Sequence, residues 1–166
     1  MTNLYSLPLS KVRTYGVALA FIVGNVLFPQ LCHLVPQGGL TLLPIYFFTL
    51  FGAYKYGMKV GLLTAVLSPL VNNLLFAMPA ASMLPILLTK SVLLAIIAAL
   101  VAQHSRRVSL ALIAAVVAGY QLVGSLAEWA ITGSLQAALQ DFTIGIPGLV
   151  LQVVGGYLVL KYILKD

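Results

Sequence analysis

Six apolar blocks separated by short polar breaks account for nearly all of the 166 residues. Their approximate bounds are 14–34, 40–54, 57–78, 83–103, 109–132 and 135–164. At ~1.5 Å of rise per residue, a block of ~20 residues crosses a bilayer core as a helix. The second block is short, with ~15 residues reaching only ~22 Å. It is either extended by its flanks or begins within the outer leaflet. Turn signals close the odd-numbered blocks: Val35-Pro36-Gln37-Gly38-Gly39 after the first, Pro79-Ala80-Ala81-Ser82 after the third and Gly133 after the fifth. The pattern predicts one all-α membrane domain over residues 1–166, a bundle of six transmembrane helices.

The cations orient that bundle. Eight of the nine Lys and Arg residues lie in breaks or at the ends: Lys11, Arg13, Lys55, Lys59, Arg106, Arg107, Lys161 and Lys165. If every block crosses once, all eight fall on one side, which the positive-inside rule makes cytoplasmic. Both termini are then cytoplasmic too. The ninth cation, Lys90, falls inside a block, where a charge is costly and usually functional.

Composition supports the membrane reading and narrows the chemistry. Apolar residues make up 61% of the chain and charged residues 7%, against ~45–50% and ~25% in a soluble domain. The net charge of +6 is therefore read as loops facing anionic headgroups, not as a nucleic-acid surface. A single cysteine, Cys32, excludes an intrachain disulfide. The first block is too long for a signal-peptide core and lacks a cleavage site, so it is kept as a mature helix. His33 beside Cys32 is too little for a metal site, since His104 lies at the opposite end. There is no His-Glu-x-x-His pair, no paired intramembrane aspartates, no Gly-x-Ser-x-Gly elbow and no phosphate loop. An enzyme is not expected, nor is a cofactor.

Backbone features mark two further places. Pro69 and Pro147 fall in mid-block, freeing the carbonyls of Ala65 and Thr143, so a kink is expected at each. Gly16, Ala20 and Gly24 recur every fourth position and share one helix face. Such a stripe lets another backbone approach closely, from within the chain or from a separate subunit. Ala111, Ala115 and Gly119 repeat the pattern more weakly.

Depth brings the costly polar groups together. Lys90 lies five positions past Pro85, ~8–10 Å below the outer end of its helix. Asn72 and Asn73 precede Pro79 by seven and six positions, and Glu128 precedes Gly133 by five, placing all three ~8–10 Å deep. Trp129, Gln136, Gln140 and Asp141 lie nearer the outer mouth, with Gln30 and His33. Two readings stay open here. One is a Lys90–Glu128 ion pair that only staples two helices, a weak source of stability. The other is an outward pocket in which Lys90 meets a substrate anion or carbonyl, Asn72 and Asn73 bond heteroatoms, and Trp129 stacks on a ring. Tyr46, Phe47 and Phe76 are candidate walls, while Gln121 and Gln152 sit deeper as helix-bridging amides.

Three stretches carry a resemblance: Tyr56-Gly57-Met58-Lys59-Val60-Gly61, Ser68-Pro69-Leu70-Val71-Asn72-Asn73 and Ala77-Met78-Pro79. With six short helices, tiny loops and both ends inside, the chain resembles the substrate-binding S component of an energy-coupling factor (ECF) vitamin transporter. The Gly16/Ala20/Gly24 face is similar to that family's Ala-x-x-x-Ala motif, with glycine replacing alanine at two points. The resemblance implies a compact S-component bundle in a bacterial inner membrane that captures a vitamin or related micronutrient from outside. It implies partners as well: a membrane coupling subunit, docked on Gly16, Ala20 and Gly24, and a pair of ATPases. The bundle would then topple in the bilayer and release its ligand inside. No ligand-diagnostic motif matches, so no particular vitamin is implied. The alternatives are a stand-alone secondary transporter or channel, and an assembly subunit that binds no small molecule.

Overall fold

The computed structural model describes residue 4 and residues 6–164; Lys165, counted above among the basic breaks, lies outside them. Among the described residues the chain is helical throughout, with no strand. Five helices are long and apolar enough to cross a membrane, which makes this a multi-pass membrane protein. They are α1 (Val12–Cys32), α4 (Met58–Phe76), α5 (Leu84–Ser105), α6 (Leu110–Thr132) and a last span over Ile146–Ile163 that begins with α9.

The expected second span is not one helix. It is built from α2 (Gly38–Leu42), a 3₁₀ turn over Pro44–Tyr46, and α3 (Phe47–Tyr56). The break sits at Leu43, which adopts a left-handed backbone (φ 49°), and Pro44 then has no N–H to continue the ladder. The sixth block is broken as well. Short helices α7 (Leu135–Ala138) and α8 (Gln140–Thr143) precede α9 (Ile146–Leu158), which ends in a π turn over Val159–Ile163. Pro147 accordingly opens a helix instead of kinking one: it lies in the first turn of α9, where a missing N–H costs nothing. Pro69 does lie inside α4, as expected.

The short α3 forms the axis of the bundle. Eight of its ten residues are buried, including Phe47, Leu50, Phe51 and Tyr54, and with them the polar Thr49 and Lys55, so the helix is surrounded on nearly every side. It packs against α1, α4 and α5. Phe28 of α1 meets Phe47 edge-on at 5.4 Å between ring centres. Small residues of α5 (Ala95, Ala98, Ala99 and Ala102) are all buried and let the helices approach closely.

A helix that starts inside a packed bundle leaves N–H groups without partners. Asn25 of α1 supplies one here. Its Oδ1 accepts the Phe48 N–H at 3.2 Å, while its Nδ2 donates to Thr49 Oγ1 at 3.1 Å and Ser68 Oγ at 3.2 Å. Asn72 Nδ2 then donates to the Asn25 carbonyl at 2.8 Å. Four bonds thus tie α1, α3 and α4 at the level of the break.

Two hydrogen bonds gather the basic breaks at one end of the bundle. Leu7 N–H donates to the Tyr56 carbonyl at 3.2 Å, and the Tyr54 hydroxyl donates to the Arg107 carbonyl at 2.8 Å. The opposite end collects the turn after α1, α2, the 77–83 turn and the α7–α8 segment, and there the bundle opens.

Candidate functional site

A cavity of about 430 Å³ lies at that opposite end, within the size range of small-molecule sites. Its lining comes from both broken segments and from four of the long helices. Aliphatic side chains such as Leu43, Ile45, Ile86 and Leu87 form most of the wall. Exposed Leu40, Met78 and Met83 also line it and mark its rim.

Lys90 sits on the cavity wall at 3% exposure, held between two carboxylates. Its Nζ lies 2.5 Å from Glu128 Oε2 and 2.8 Å from Asp141 Oδ2. The Asp141 contact is an aligned hydrogen bond, whereas the Glu128 contact is an ion pair whose angle falls short of one. The chain has only three acidic residues, and these two both converge on Lys90, which with Lys55 is one of two buried cations among the described residues. Gly124 of α6 makes this possible. A Cβ there would stand 2.8 Å from Lys90 Cγ, so glycine leaves room for the lysine stem against the facing helix. Desolvating three charges is expensive, and the price is met only partly by their attraction.

Several polar atoms around the cluster lack partners. Asn72 spends its Nδ2 on Asn25, but its Oδ1 is buried and unbonded on the cavity wall. Gln30 Nε2, also a lining residue, is equally unbonded. His33, an exposed residue at the rim, donates through Nδ1 to the Pro29 carbonyl at 2.6 Å, since a carbonyl can only accept. Buried, unbonded atoms cost free energy unless water or a guest satisfies them. Further along α6 and its neighbours, Ser91 Oγ, Ser125 Oγ, Gln121 Oε1 and Gln152 Nε2 are buried without partners too. Tyr120 partly organises this deeper group, donating to Gln152 Oε1 at 2.7 Å and accepting from Gln121 Nε2 at 3.1 Å.

Of the residues expected at the site, Asn72, Lys90 and Glu128 line the cavity together, as do Tyr46, Gln30, His33, Gln140 and Asp141. Asn73 does not. It turns away and donates to the Pro79 carbonyl at 2.7 Å, anchoring the 77–83 turn whose Met78, Pro79 and Ala80 help line the cavity. Trp129 is also outside: it is 48% exposed and absent from the wall. The reason is helical: a residue next to Glu128 points about 100° away from it. Phe76 is exposed at the end of α4, and Phe47 packs in the aromatic core instead.

Lys90 is likewise not a lone cation awaiting an anion, because Asp141 joins Glu128 against it. Sequence reading placed Asp141 nearer the mouth, since a break in the sixth block was not foreseen. Asn25 was missed as well, although the signal existed: it is a carboxamide in mid-span on the face bearing Thr14, Ala18, Ile22 and Pro29, all buried.

The expected docking face divides in two. Gly16 and Ala20 are exposed on α1, and a Cβ at Gly16 would touch nothing within 4 Å. Gly24 instead packs inward, where a Cβ would lie 2.6 Å from the Phe48 ring. Among the described residues no cluster of three or more His, Cys, Asp or Glu stands ready for a metal ion. No family model, curated protein or solved structure matches the chain.

Proposed function

We propose that the chain is a substrate-capture subunit of the S-component type. In this reading segment 38–56 forms a sixth, broken crossing, the basic end faces the cytoplasm and the cavity faces outward. A small vitamin-like nutrient enters the cavity, and a membrane coupling subunit with an ATPase pair drives its delivery into a bacterial cell. The carrying observation is the cavity itself, which joins an apolar wall to unsatisfied polar atoms of Asn72 and Gln30 and to the Lys90–Glu128–Asp141 cluster. A pair that merely stapled helices would have no use for those open valences. Broken helices beside a binding site are also a recurring device, because they free backbone groups where a guest sits.

Mass spectrometry of the protein extracted from its own membranes tests this reading. A stoichiometric small molecule is expected, and Glu128→Gln should reduce its retention by about tenfold while the variant remains monodisperse. Recovery of an empty protein from several extraction conditions would count for a structural subunit instead.

The unpartnered atoms Ser91 Oγ, Ser125 Oγ, Gln121 Oε1 and Gln152 Nε2 beyond the cluster favour a second reading, a stand-alone secondary transporter with a hydrated path through the bundle. Reconstituted alone in liposomes, the chain would then move its substrate down an ion gradient. A capture subunit without its ATPases would not.

A further inference from the structure

The sign of charge at the cavity wall narrows what the ligand can be. Lys90, Glu128 and Asp141 contribute one positive and two negative charges, and among the described residues no other Lys or Arg lines the cavity. The cluster therefore carries one excess negative charge when all three groups are ionised. Asn72 Oδ1 leans the same way as a buried, unbonded acceptor on a residue of the lining. Gln30 Nε2, on another lining residue, is an unbonded donor. An anion approaching Lys90 would meet two carboxylates at distances close to that of the ammonium it seeks, so repulsion outweighs attraction. A cation faces the reverse balance.

We infer that the ligand places a cationic group, a protonated amine or amidinium, against Glu128 and Asp141, with its uncharged remainder on the aliphatic wall. This inference rests on the cavity's being a capture site, as proposed above. It reverses the role that sequence alone suggested for Lys90. The lysine is a positioning residue: it holds the two carboxylates together and balances one of them, leaving the other for the guest. Asn72 Oδ1 takes a hydrogen bond from the same ligand, which completes an otherwise orphaned acceptor.

Three aromatic probes of similar size separate charge from apolar contact: benzylammonium, benzyl alcohol and benzoate, titrated against the full-length chain in detergent at pH 7. Thermal stabilisation and calorimetry should rank them in that order, with benzylammonium roughly tenfold tighter than benzoate. In Asp141→Asn, checked for monodispersity by size exclusion, the preference should fall to about twofold. Benzoate binding as tightly as benzylammonium in the unmodified chain would overturn the charge assignment while leaving capture intact. If no probe binds, the compound extracted with the protein decides. A molecule bearing a cation supports the inference, and one bearing only anionic groups overturns it. A protein that holds no probe and no extracted compound overturns both this inference and the capture reading.

Discussion

Asn25 and Lys90 are both polar residues sealed inside a membrane bundle, yet their surroundings differ in kind. Around Asn25 the side-chain valences close: its amide oxygen and amide nitrogen both have partners on neighbouring helices, and its carbonyl receives Asn72. Around Lys90 they stay open. The two carboxylates outnumber the ammonium, and Asn72 Oδ1 and Gln30 Nε2, on residues that line the cavity, have no partner. Asn72 belongs to both worlds, with its nitrogen spent on the frame and its oxygen left for the cavity. The contrast separates polar groups that build the fold from polar groups held ready by it. A closed network rewards the folded state at once, whereas an open one is repaid only when something binds.

Removing Lys90 should have the largest effect. Lys90→Ala leaves Glu128 and Asp141 buried beside each other with no counter-charge, and breaking such a cluster costs about 3–5 kcal/mol. A marked fall in unfolding temperature is expected, with partial recovery in Lys90→Ala/Asp141→Asn, where one stranded charge is gone. Equal stability of the two variants would mean that the carboxylates do not feel each other. Asn25→Val comes next. It strands the Phe48 N–H and two hydroxyls, but membrane hydrogen bonds are individually modest, so about 2 kcal/mol is expected. Ligand retention should change little in the Asn25 variant beyond that loss of stability. If Asn25→Val abolished binding outright at temperatures where the protein is folded, the distinction between frame and site would collapse.

Much of this arrangement was legible from spacing alone. The long blocks set α1, α4, α5 and α6 to within a few residues, because about 20 consecutive apolar positions admit few other solutions in a bilayer. Helical depth brought Asn72, Lys90 and Glu128 to one level, and they do line one cavity. What spacing could not resolve was rotation and breakage. Asn73 and Trp129 sit at the expected depth but one residue, and so about 100°, off the inward face. Asp141 reaches Lys90 only because α7 and α8 fold the sixth block back before α9 begins. That fold depends on local backbone choices around Gly133 and Gly145, which an apolar average over the block conceals. The Leu43 break is similar: Leu-Pro reads as a minor interruption in a hydrophobic run, yet it divides the second block into two helices.

The smallest expected change in stability concerns the outer face of α1, and there the informative readout is a different one. Gly24 is consumed within the chain by Phe48, so a larger residue there must displace a packed ring and should cost about 1–3 kcal/mol. Gly16 has open space around its Cα, and Val12, Tyr15, Leu19 and Val23 beside it are exposed as well. Gly16→Leu should therefore leave the unfolding temperature within the range of a neutral surface change, about 0.5 kcal/mol. If this face meets only lipid, uptake by cells carrying the variant should also be unchanged, since leucine suits hydrocarbon better than glycine does. If a coupling subunit docks there through close backbone contact, uptake should fall sharply while ligand retention by the isolated chain stays intact. Measuring both in the same variant separates a surface made for lipid from one made for a partner, which neither burial nor spacing can do alone.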